Sequence, residues 1–309
     1  MCAATDRQAT FCQLCGQKID GKGRSFRHKK WPHGLKLTIC AACEREKPRC
    51  LQCGLPMAAP SPSGLCKTCR DSLEMCLSCG KPVTGKSLEF DGVGPYCLDC
   101  YRTRPPCDIC GAPLTDERWQ LSDGRLSCQL CHASAVFTPD VAAALYEEMK
   151  DAIFAHLGFE LNVPTGLAMV DRNQLKEVIR LQTETNYVQT AGHQQLDPER
   201  TLGVYARRGM RRGIYIQTGL PRLVFLQVAA HEYAHAWQGE NCPILRDVII
   251  HEGFAEWVAY HMIGYYGYHD SQERMMTRQD SYGQGLKWAL SLEKTQGRQT
   301  VIETCRSMV

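Results

Sequence analysis

Cysteine spacing constrains the fold of this chain more than any other feature of its sequence. Sixteen of the 19 cysteines form eight Cys-x-x-Cys pairs within the first 131 residues, and glycine follows every odd-numbered pair. The pattern is an internal repeat of four units, each opening with Cys-x-x-Cys-Gly and closing with Cys-x-x-Cys. Gaps within the units are 24, 12, 17 and 17 residues, and gaps between units are always six. The pairs are Cys12/Cys15, Cys40/Cys43, Cys50/Cys53, Cys66/Cys69, Cys76/Cys79, Cys97/Cys100, Cys107/Cys110 and Cys128/Cys131.

This repeat predicts four structural zinc sites, each made by the two pairs of one unit. Zinc prefers four tetrahedral thiolate or imidazole ligands, and a two-residue spacer lets both thiolates of a turn reach one ion. The glycine after the second thiolate would supply the unusual backbone angle of a zinc knuckle. Pairing across units is the less favoured arrangement, because a six-residue gap leaves little chain between the two knuckles. A disulfide framework is the other alternative, but adjacent Cys-x-x-Cys pairs make poor structural disulfides.

Composition separates the chain into two regions. Beyond residue 131 only Cys242 and Cys305 remain, and 44% hydrophobic with 22% charged residues is typical of a globular protein. No apolar run is long enough to cross a bilayer, and the N-terminus lacks the apolar core of a secretory signal. We therefore expect a cytoplasmic protein without membrane association. Its expected domains are two LIM-like pairs of zinc fingers, residues 12–69 and 76–131, and one larger domain, residues 138–309.

The second region has the patterns of amphipathic helices and short strands, so the sequence predicts an α+β fold. The arginines of the turn at 207–212 are expected to be a solvated hairpin tip. The expected elements are a helix from Thr138-Pro139 to Gly158, a strand over 167–170, a helix from the Asp171–Gln174 capping box to Leu181, strands over 201–206 and 213–218, and a helix from Leu220-Pro221 that Gly239 ends.

A His-Glu-x-x-His motif lies on the last of these helices. His231 and His235 are four residues apart and share one helix face, so their imidazoles can hold one zinc ion. Glu232 can act as general base on zinc-bound water. Glu252, after 16 intervening residues, can reach the third ligand position from an antiparallel helix that Gly253 lets approach closely. Three protein ligands leave a fourth position open, the mark of a catalytic site. The alternative is two ordinary histidines on a partly buried helix.

Other side chains near the motif are candidates for supporting roles. Glu256 lies one turn after Glu252 and can hydrogen-bond a ligand histidine, whereas His251 points elsewhere and is a poorer ligand. Asp247 and Asn241 are weaker candidates for the same supporting role. The candidate oxyanion donors are Tyr260, His261, Tyr265, Tyr266, Tyr268 and His269, among which the sequence does not choose.

The stretch from Gly213 to Gly264 resembles a known family. It contains Ile-Tyr-Ile-Gln-Thr-Gly-Leu-Pro-Arg (214–222), His-Glu-x-x-His-Ala-Trp (231–237) and Glu252-Gly253. These residues are similar to the plant organ-size-limiting peptidases of the DA-one type, which join LIM zinc fingers to a C-terminal metallopeptidase. The six-residue links and the all-cysteine pairs make the present fingers LIM-like or zinc-ribbon-like. The chain resembles a short, bacterial-type relative without the ubiquitin-interacting helices that precede the LIM region in the plant proteins.

The resemblance implies a compact gluzincin-like domain with helices packed on a small mixed sheet. It implies His231, His235 and Glu252 as ligands of one catalytic zinc, Glu232 as general base, and Gly213–Thr218 as the edge strand that receives an extended peptide.

We therefore predict a zinc-dependent endopeptidase acting on protein or peptide substrates, with four structural zinc ions and one catalytic ion. The fingers would bind substrate or a protein partner, or regulate the enzyme. The main alternative is a non-enzymatic zinc-finger adaptor with a vestigial peptidase fold, which the intact motif disfavours. A third hypothesis, a zinc-ribbon nucleic-acid binder, is disfavoured by the net charge of only +3.

Overall fold

The computed structural model describes residues 11–307 except 22, 84, 91, 185–200 and 243–246. In these residues the chain forms 11 helices and 11 short strands, a mixed α+β fold as predicted. The chain divides into two compact units. One comprises Met1–Leu88 and Gly94–Leu98, and the other comprises Glu89–Val93 and Asp99–Val309. Within the described ranges, none of the helices combines the length and the hydropathy that a bilayer crossing requires.

The finger region alternates short hairpins with single-turn helices. Each of the four helices begins one residue after the third cysteine of its unit and carries the fourth cysteine. At Cys40, Cys66 and Cys128 the thiol is itself the N-cap and accepts a backbone N–H bond from the fourth cysteine. The elements are β1 (Arg24–Phe26), β2 (Leu37–Ile39), α1 (Ala41–Glu46), α2 (Lys67–Asp71), β3 (Ser87–Phe90), β4 (Val93–Cys97), α3 (Leu98–Thr103), β5 (Trp119–Gln120), β6 (Leu126–Ser127) and α4 (Gln129–Ala133).

The glycines that follow the odd-numbered pairs have the predicted knuckle conformation. Their φ angles are 76° at Gly16, 71° at Gly54, 67° at Gly80 and 75° at Gly111. Each glycine amide also donates to the carbonyl of the first cysteine of its unit, at 2.8–2.9 Å. Because an L side chain rarely adopts this backbone conformation, glycine is the residue that closes such a turn at the lowest cost.

The larger region is mainly helical. Thr138 precedes its first helix and Gly158 ends that helix with a φ of 78°, as predicted. The capping box is confirmed, since the Asp171 amide donates to Gln174 and the Gln174 amide donates back to Asp171. The elements are β7 (Ala135–Val136), α5 (Pro139–Leu157), β8 (Gly166–Val170), α6 (Arg172–Glu184), β9 (Gly203–Arg208), β10 (Arg211–Gln217), β11 (Leu220–Pro221), α7 (Arg222–Asn241), α8 (Val248–Tyr265), α9 (His269–Thr277), α10 (Ser281–Gln296) and α11 (Arg298–Ser307).

The three-stranded sheet corrects the predicted position of the edge strand. Its order is β8-β10-β9, with β10 parallel to β8 and antiparallel to β9. The segment Gly213–Thr218 therefore supplies the central strand, and β9 is an edge among the described strands. Strand order depends on the pairing of distant segments, β8 with β10, which local sequence pattern does not report.

Helix α7 also differs from its prediction. The helix does not end at Gly239 but continues to Asn241, so Gly239 lies inside its last turn. A side chain at Gly239 would meet the ring of Tyr205 at 3.3 Å.

The basic turn is not simply solvated. Arg212 is nearly buried and pairs with Glu240 at 2.6 Å, and Arg207 lies 3.2 Å from the same carboxylate.

The fourth finger packs on the larger region through a buried ion pair. The Arg125 guanidinium donates to Asp123 at 2.8 Å and to the Thr218 carbonyl at 2.6 Å, and Arg125 is only 2% exposed. Asp123 also accepts the backbone N–H of Arg172, whose guanidinium reaches Asp108 of the finger at 2.9 Å. The finger thus holds the residue that follows β10, shortly before the helix that carries the His-Glu-x-x-His motif.

Helix α8 is the centre of the core. Phe254, Trp257 and Val258 are fully buried. Helix α8 is apolar on nearly all sides, as expected of a helix that other elements surround. The sequence analysis placed Gly253 against the motif helix α7, and this was wrong. A Cβ at Gly253 would meet the backbone oxygen of Gly285 at 2.6 Å, so the glycine permits close approach of α10 instead.

We expect Gly253→Ala to lower the free energy of unfolding by about 3 kcal/mol, since backbone rather than a flexible side chain stands in the way. Urea unfolding of the zinc-loaded chain measures this. Gly85→Ala is the matched control, because nothing lies within 4 Å of a Cβ at Gly85. A Gly253→Ala chain as stable as the wild type would contradict the close crossing.

Candidate metal centres

In the first, third and fourth units the two predicted cysteine pairs come together, whereas in the second unit His28 joins Cys53, Cys66 and Cys69 and the predicted ligand Cys50 is not in the group. In each group one ligand atom per residue lies within 4.8 Å of every other. These clusters fit small metal-binding modules. The groups in the finger region are Cys12, Cys15, Cys40 and Cys43; His28, Cys53, Cys66 and Cys69; Cys76, Cys79, Cys97 and Cys100; and Cys107, Cys110, Cys128 and Cys131.

The sulfur–sulfur distances have the size that a tetrahedral zinc site requires. With Zn–S bonds of about 2.3 Å, neighbouring sulfurs should lie about 3.8 Å apart. The second and third cysteines of the four units are separated by 3.9, 3.7, 3.9 and 3.8 Å in chain order. Thiols have no strong attraction for one another, so four such clusters fit a shared cation.

Backbone amides prepare the knuckle thiols for metal binding. Burial raises the pKa of Cys12, Cys50 and Cys76, but hydrogen bonds from backbone N–H groups outweigh it and lower each pKa to about 6. These thiols therefore ionise near neutral pH, and the thiolate is the form that binds zinc.

A histidine of the first finger reaches the second site, a feature the sequence analysis did not predict. His28 Nε2 lies 3.2 Å from Cys69 Sγ, and His28 is buried. Its Nδ1 accepts the backbone N–H of Lys30 at 3.1 Å, so the neutral ring carries its proton on Nε2. A protonated Nε2 donates to Cys69 Sγ, so His28 occupies the place in this group that was predicted for Cys50. Trp31 strengthens the contact by donating to Thr68 at 2.9 Å.

His231, His235 and Glu252 form the fifth group, between helices α7 and α8. The Nε2 atoms of the two histidines are 2.9 Å apart, and each lies 3.4 Å from Glu252 Oε2. Nitrogen and oxygen ligands about 2.0–2.1 Å from a tetrahedral zinc ion are separated by about 3.3 Å. The three ligand atoms therefore converge on a space of the right size for one ion.

Hydrogen bonds behind the ligands turn them toward that space. Gln238 Oε1 accepts from His235 Nδ1 at 2.9 Å, which leaves the Nε2 lone pair free for a metal. Glu256 Oε1 lies 3.4 Å from His231 Nδ1, in the supporting place predicted for Glu256. Glu252 Oε2 is buried and has no hydrogen-bond partner among the described residues. An orphaned buried carboxylate oxygen 3.4 Å from two imidazole nitrogens fits a shared cation.

The charges of the group fit the same conclusion. Burial raises the pKa of Glu252, but the nearby His235 and His231 lower it well below its usual range. Burial also lowers the pKa of His231, but Glu252 and Glu256 raise it well above its usual value. Glu252 is therefore ionised at neutral pH, and its environment favours positive charge beside it.

Glu232 lies beside the group with its carboxylate fixed by backbone. The Tyr205 amide of strand β9 donates to Glu232 Oε2 at 2.7 Å, and Glu232 is buried. This bond joins the motif helix to the edge of the sheet. The second carboxylate oxygen stays available for a proton.

Tyr282 at the start of α10 is the aromatic neighbour of the group that the sequence analysis missed. Its ring centroid lies 5.9 Å from that of His231, and the Arg278 guanidinium lies over the Tyr282 ring, 4.8 Å from its centroid. Burial and the charges of Glu252 and Glu232 raise the pKa of Tyr282, which keeps its phenol protonated. The sequence signal that could have found Tyr282 is the pair of glycines, Gly253 on α8 and Gly285 on α10, at which the two helices come into contact.

Several of the candidates named near the motif have other partners or are exposed. His261 pairs with Glu293 at 2.9 Å, and Tyr265 is largely exposed. Asp247 caps α8, and Asn241 donates to the carbonyl of its own helix at Trp237. His251 is outside the ligand group, and its ring stacks on that of His235 with centroids 4.5 Å apart.

Comparison with protein-family models, curated proteins and solved structures finds no match to this chain.

Proposed function

We propose that this chain is a zinc-dependent endopeptidase with a gluzincin-like domain, related to the DA-one type. The observation that carries the proposal is a three-ligand group, His231, His235 and Glu252, with the buried carboxylate of Glu232 beside it. Structural zinc sites fill all four positions with protein ligands, whereas catalytic sites leave one for water or substrate. The cysteine groups, by contrast, are each closed by four protein ligands.

The chain's own residues account for the proton transfers of peptide hydrolysis. A zinc ion held by this group would supply a Lewis acid that polarises the scissile carbonyl and lowers the pKa of a water. Glu232 accepts a proton from the attacking water and passes it to the leaving amine. The Tyr205 amide holds one oxygen of Glu232, so the carboxylate need not reorient between the two transfers.

We propose Tyr282 as the donor that stabilises the developing oxyanion. Tyr282→Phe should lower kcat about 100-fold with little change in KM, because the hydrogen bond forms mainly in the transition state. Tyr265→Phe is the matched control, since Tyr265 is 52% exposed and is not beside the ligand group. Equal losses in the two variants would remove Tyr282 from this role.

The edge of strand β9 is the proposed binding site for an extended substrate. On this edge the Tyr205 amide donates to Glu232 and the Tyr205 carbonyl accepts from Gln182 at 2.8 Å, so a peptide added along β9 would pair with the residues on either side of Tyr205 and lie beside the general base. Gly203 lies where β9 runs against the motif helix, since a Cβ there would meet Val228 at 2.4 Å. Strand addition would orient the scissile bond through main-chain hydrogen bonds.

A cleavage assay on a proteome-derived peptide library tests the proposal. We expect the zinc-loaded chain to produce new peptide termini, detected by mass spectrometry, and a chelator to abolish them until zinc is restored. His235→Ala, which removes one ligand, should be inactive at every zinc concentration. A chain that carries all five ions and cleaves nothing would favour the adaptor hypothesis.

A further inference from the structure

Two cysteines lie outside the finger region and close to the proposed catalytic centre. Among the described cysteines, only Cys242 and Cys305 are not members of a Cys-x-x-Cys pair. Cys242 is the C-cap of α7, and Cys305 lies on α11. Their sulfurs are 3.6 Å apart, although 62 residues separate them in the chain. The fold, not the sequence spacing, makes this pair.

The pair is connected to a zinc ligand through one side chain. Gln238 Nε2 donates to Cys305 Sγ at 3.4 Å and to the His251 carbonyl at 3.0 Å. Its Oε1 accepts from His235 Nδ1 at 2.9 Å. Because Gln238 is only 3% exposed, bulk solvent cannot reach its side chain to replace a lost hydrogen-bond partner.

We infer that Cys242 and Cys305 form an oxidisable dithiol site, with a hydroperoxide as co-reactant, whose oxidation weakens the hold of His235 on zinc. This inference rests on the proposed function for its consequence, but the disulfide itself does not require peptidase activity. Cys242 is partly exposed and gives the pair its opening to solvent, whereas Cys305 is fully buried.

Exposure makes Cys242 the sulfur that reacts first, with Cys305 as the buried partner that completes the disulfide. Hydrogen bonds from Cys242 and Gln238 outweigh burial and lower the pKa of Cys305, while the hydrogen bond to Cys305 and burial raise the pKa of Cys242. The Cys242 sulfur attacks hydrogen peroxide as its proton passes to the Cys305 thiolate, and it becomes a sulfenic acid with release of hydroxide. The Cys305 sulfur then attacks the Cys242 sulfenic acid, and the Cys305 proton leaves with the hydroxyl as water. Two cysteine sulfurs are oxidised to one disulfide, and the peroxide is reduced to one hydroxide and one water.

Disulfide formation must disturb Gln238. A disulfide requires its sulfurs to approach from 3.6 Å to about 2.05 Å, so Cys305 or the end of α7 must move. A disulfide sulfur is also a poorer acceptor than a thiolate. Gln238 then loses one of its two acceptors, and the orientation of the His235 ring is less well held. Loss of such a supporting bond typically weakens metal binding about 10–100-fold.

The test uses the full zinc-loaded chain and substoichiometric hydrogen peroxide. Mass spectrometry after trypsin should find the peptide 223–246 linked to 299–306. Competition with a chelator should then show the fifth zinc ion bound about 10-fold more weakly than in the reduced chain. Cys242→Ser should give neither result, and it is a safer control than a change at buried Cys305.

Gln238→Leu separates the disulfide from its consequence. This variant should still form the disulfide, but its zinc affinity should be the same in both redox states. Absence of the linked peptide in the wild type, or a disulfide that leaves zinc affinity unchanged, would overturn the inference. A reduced chain that never binds a fifth ion would instead overturn the proposed function.

Discussion

Glu232→Gln should bind its full complement of zinc and cleave peptides about 1,000- to 10,000-fold more slowly than the wild type. The amide has the shape of the carboxylate, and its oxygen can still accept the Tyr205 N–H that now binds Glu232 at 2.7 Å. It cannot take a proton from water at neutral pH. The ligands His231, His235 and Glu252 are untouched, so the loss should fall on chemistry and not on metal binding.

Steady-state kinetics on a peptide from the library, with zinc analysis of the same samples, checks this result. Glu303→Gln makes the same chemical change at an exposed carboxylate of α11 and should keep full activity. Undiminished cleavage by Glu232→Gln would show that another group accepts the proton. Loss of the fifth ion from that variant would show that Glu232 supports the metal instead.

Metal removal should have the second large effect. We expect five zinc ions in the whole chain and four in His235→Ala, by elemental analysis of the purified proteins. Modules as small as the fingers bury little apolar surface, and structural zinc contributes about 10–16 kcal/mol to folding in such modules. Stripping all zinc should therefore unfold the finger region, which hydrogen exchange would report as lost amide protection over residues 11–131.

The fourth finger makes this prediction sharper. Its Arg125 holds the Thr218 carbonyl, so loss of its metal should also raise exchange over residues 213–221, while the core of α8 stays protected. Fingers that remain protected without zinc would refute the structural role of the ions. Four ions in both the wild type and His235→Ala would support the four finger sites and rule out the proposed catalytic site.

Much of the local structure was predictable from the sequence. The knuckle glycines, the Asp171–Gln174 capping box and the Gly158 helix end depend on contacts within a few residues, and all three are confirmed. The convergence of His235 and Glu252 was also predictable, because a four-residue helical spacing and one antiparallel return limit where the side chains can lie. The peptidase chemistry remains a prediction.

The tertiary structure decided what depends on distant partners. Strand β10 became central because β8, more than 40 residues earlier, pairs with it. Gly253 faces Gly285 and not the motif helix, and this crossing places Tyr282 beside His231. The sequence by itself determined the ligand types and their local spacing, since turns and helices fix these through short-range sterics and hydrogen bonds. Which side chains support those ligands depends on packing between elements, and that packing has no local signature.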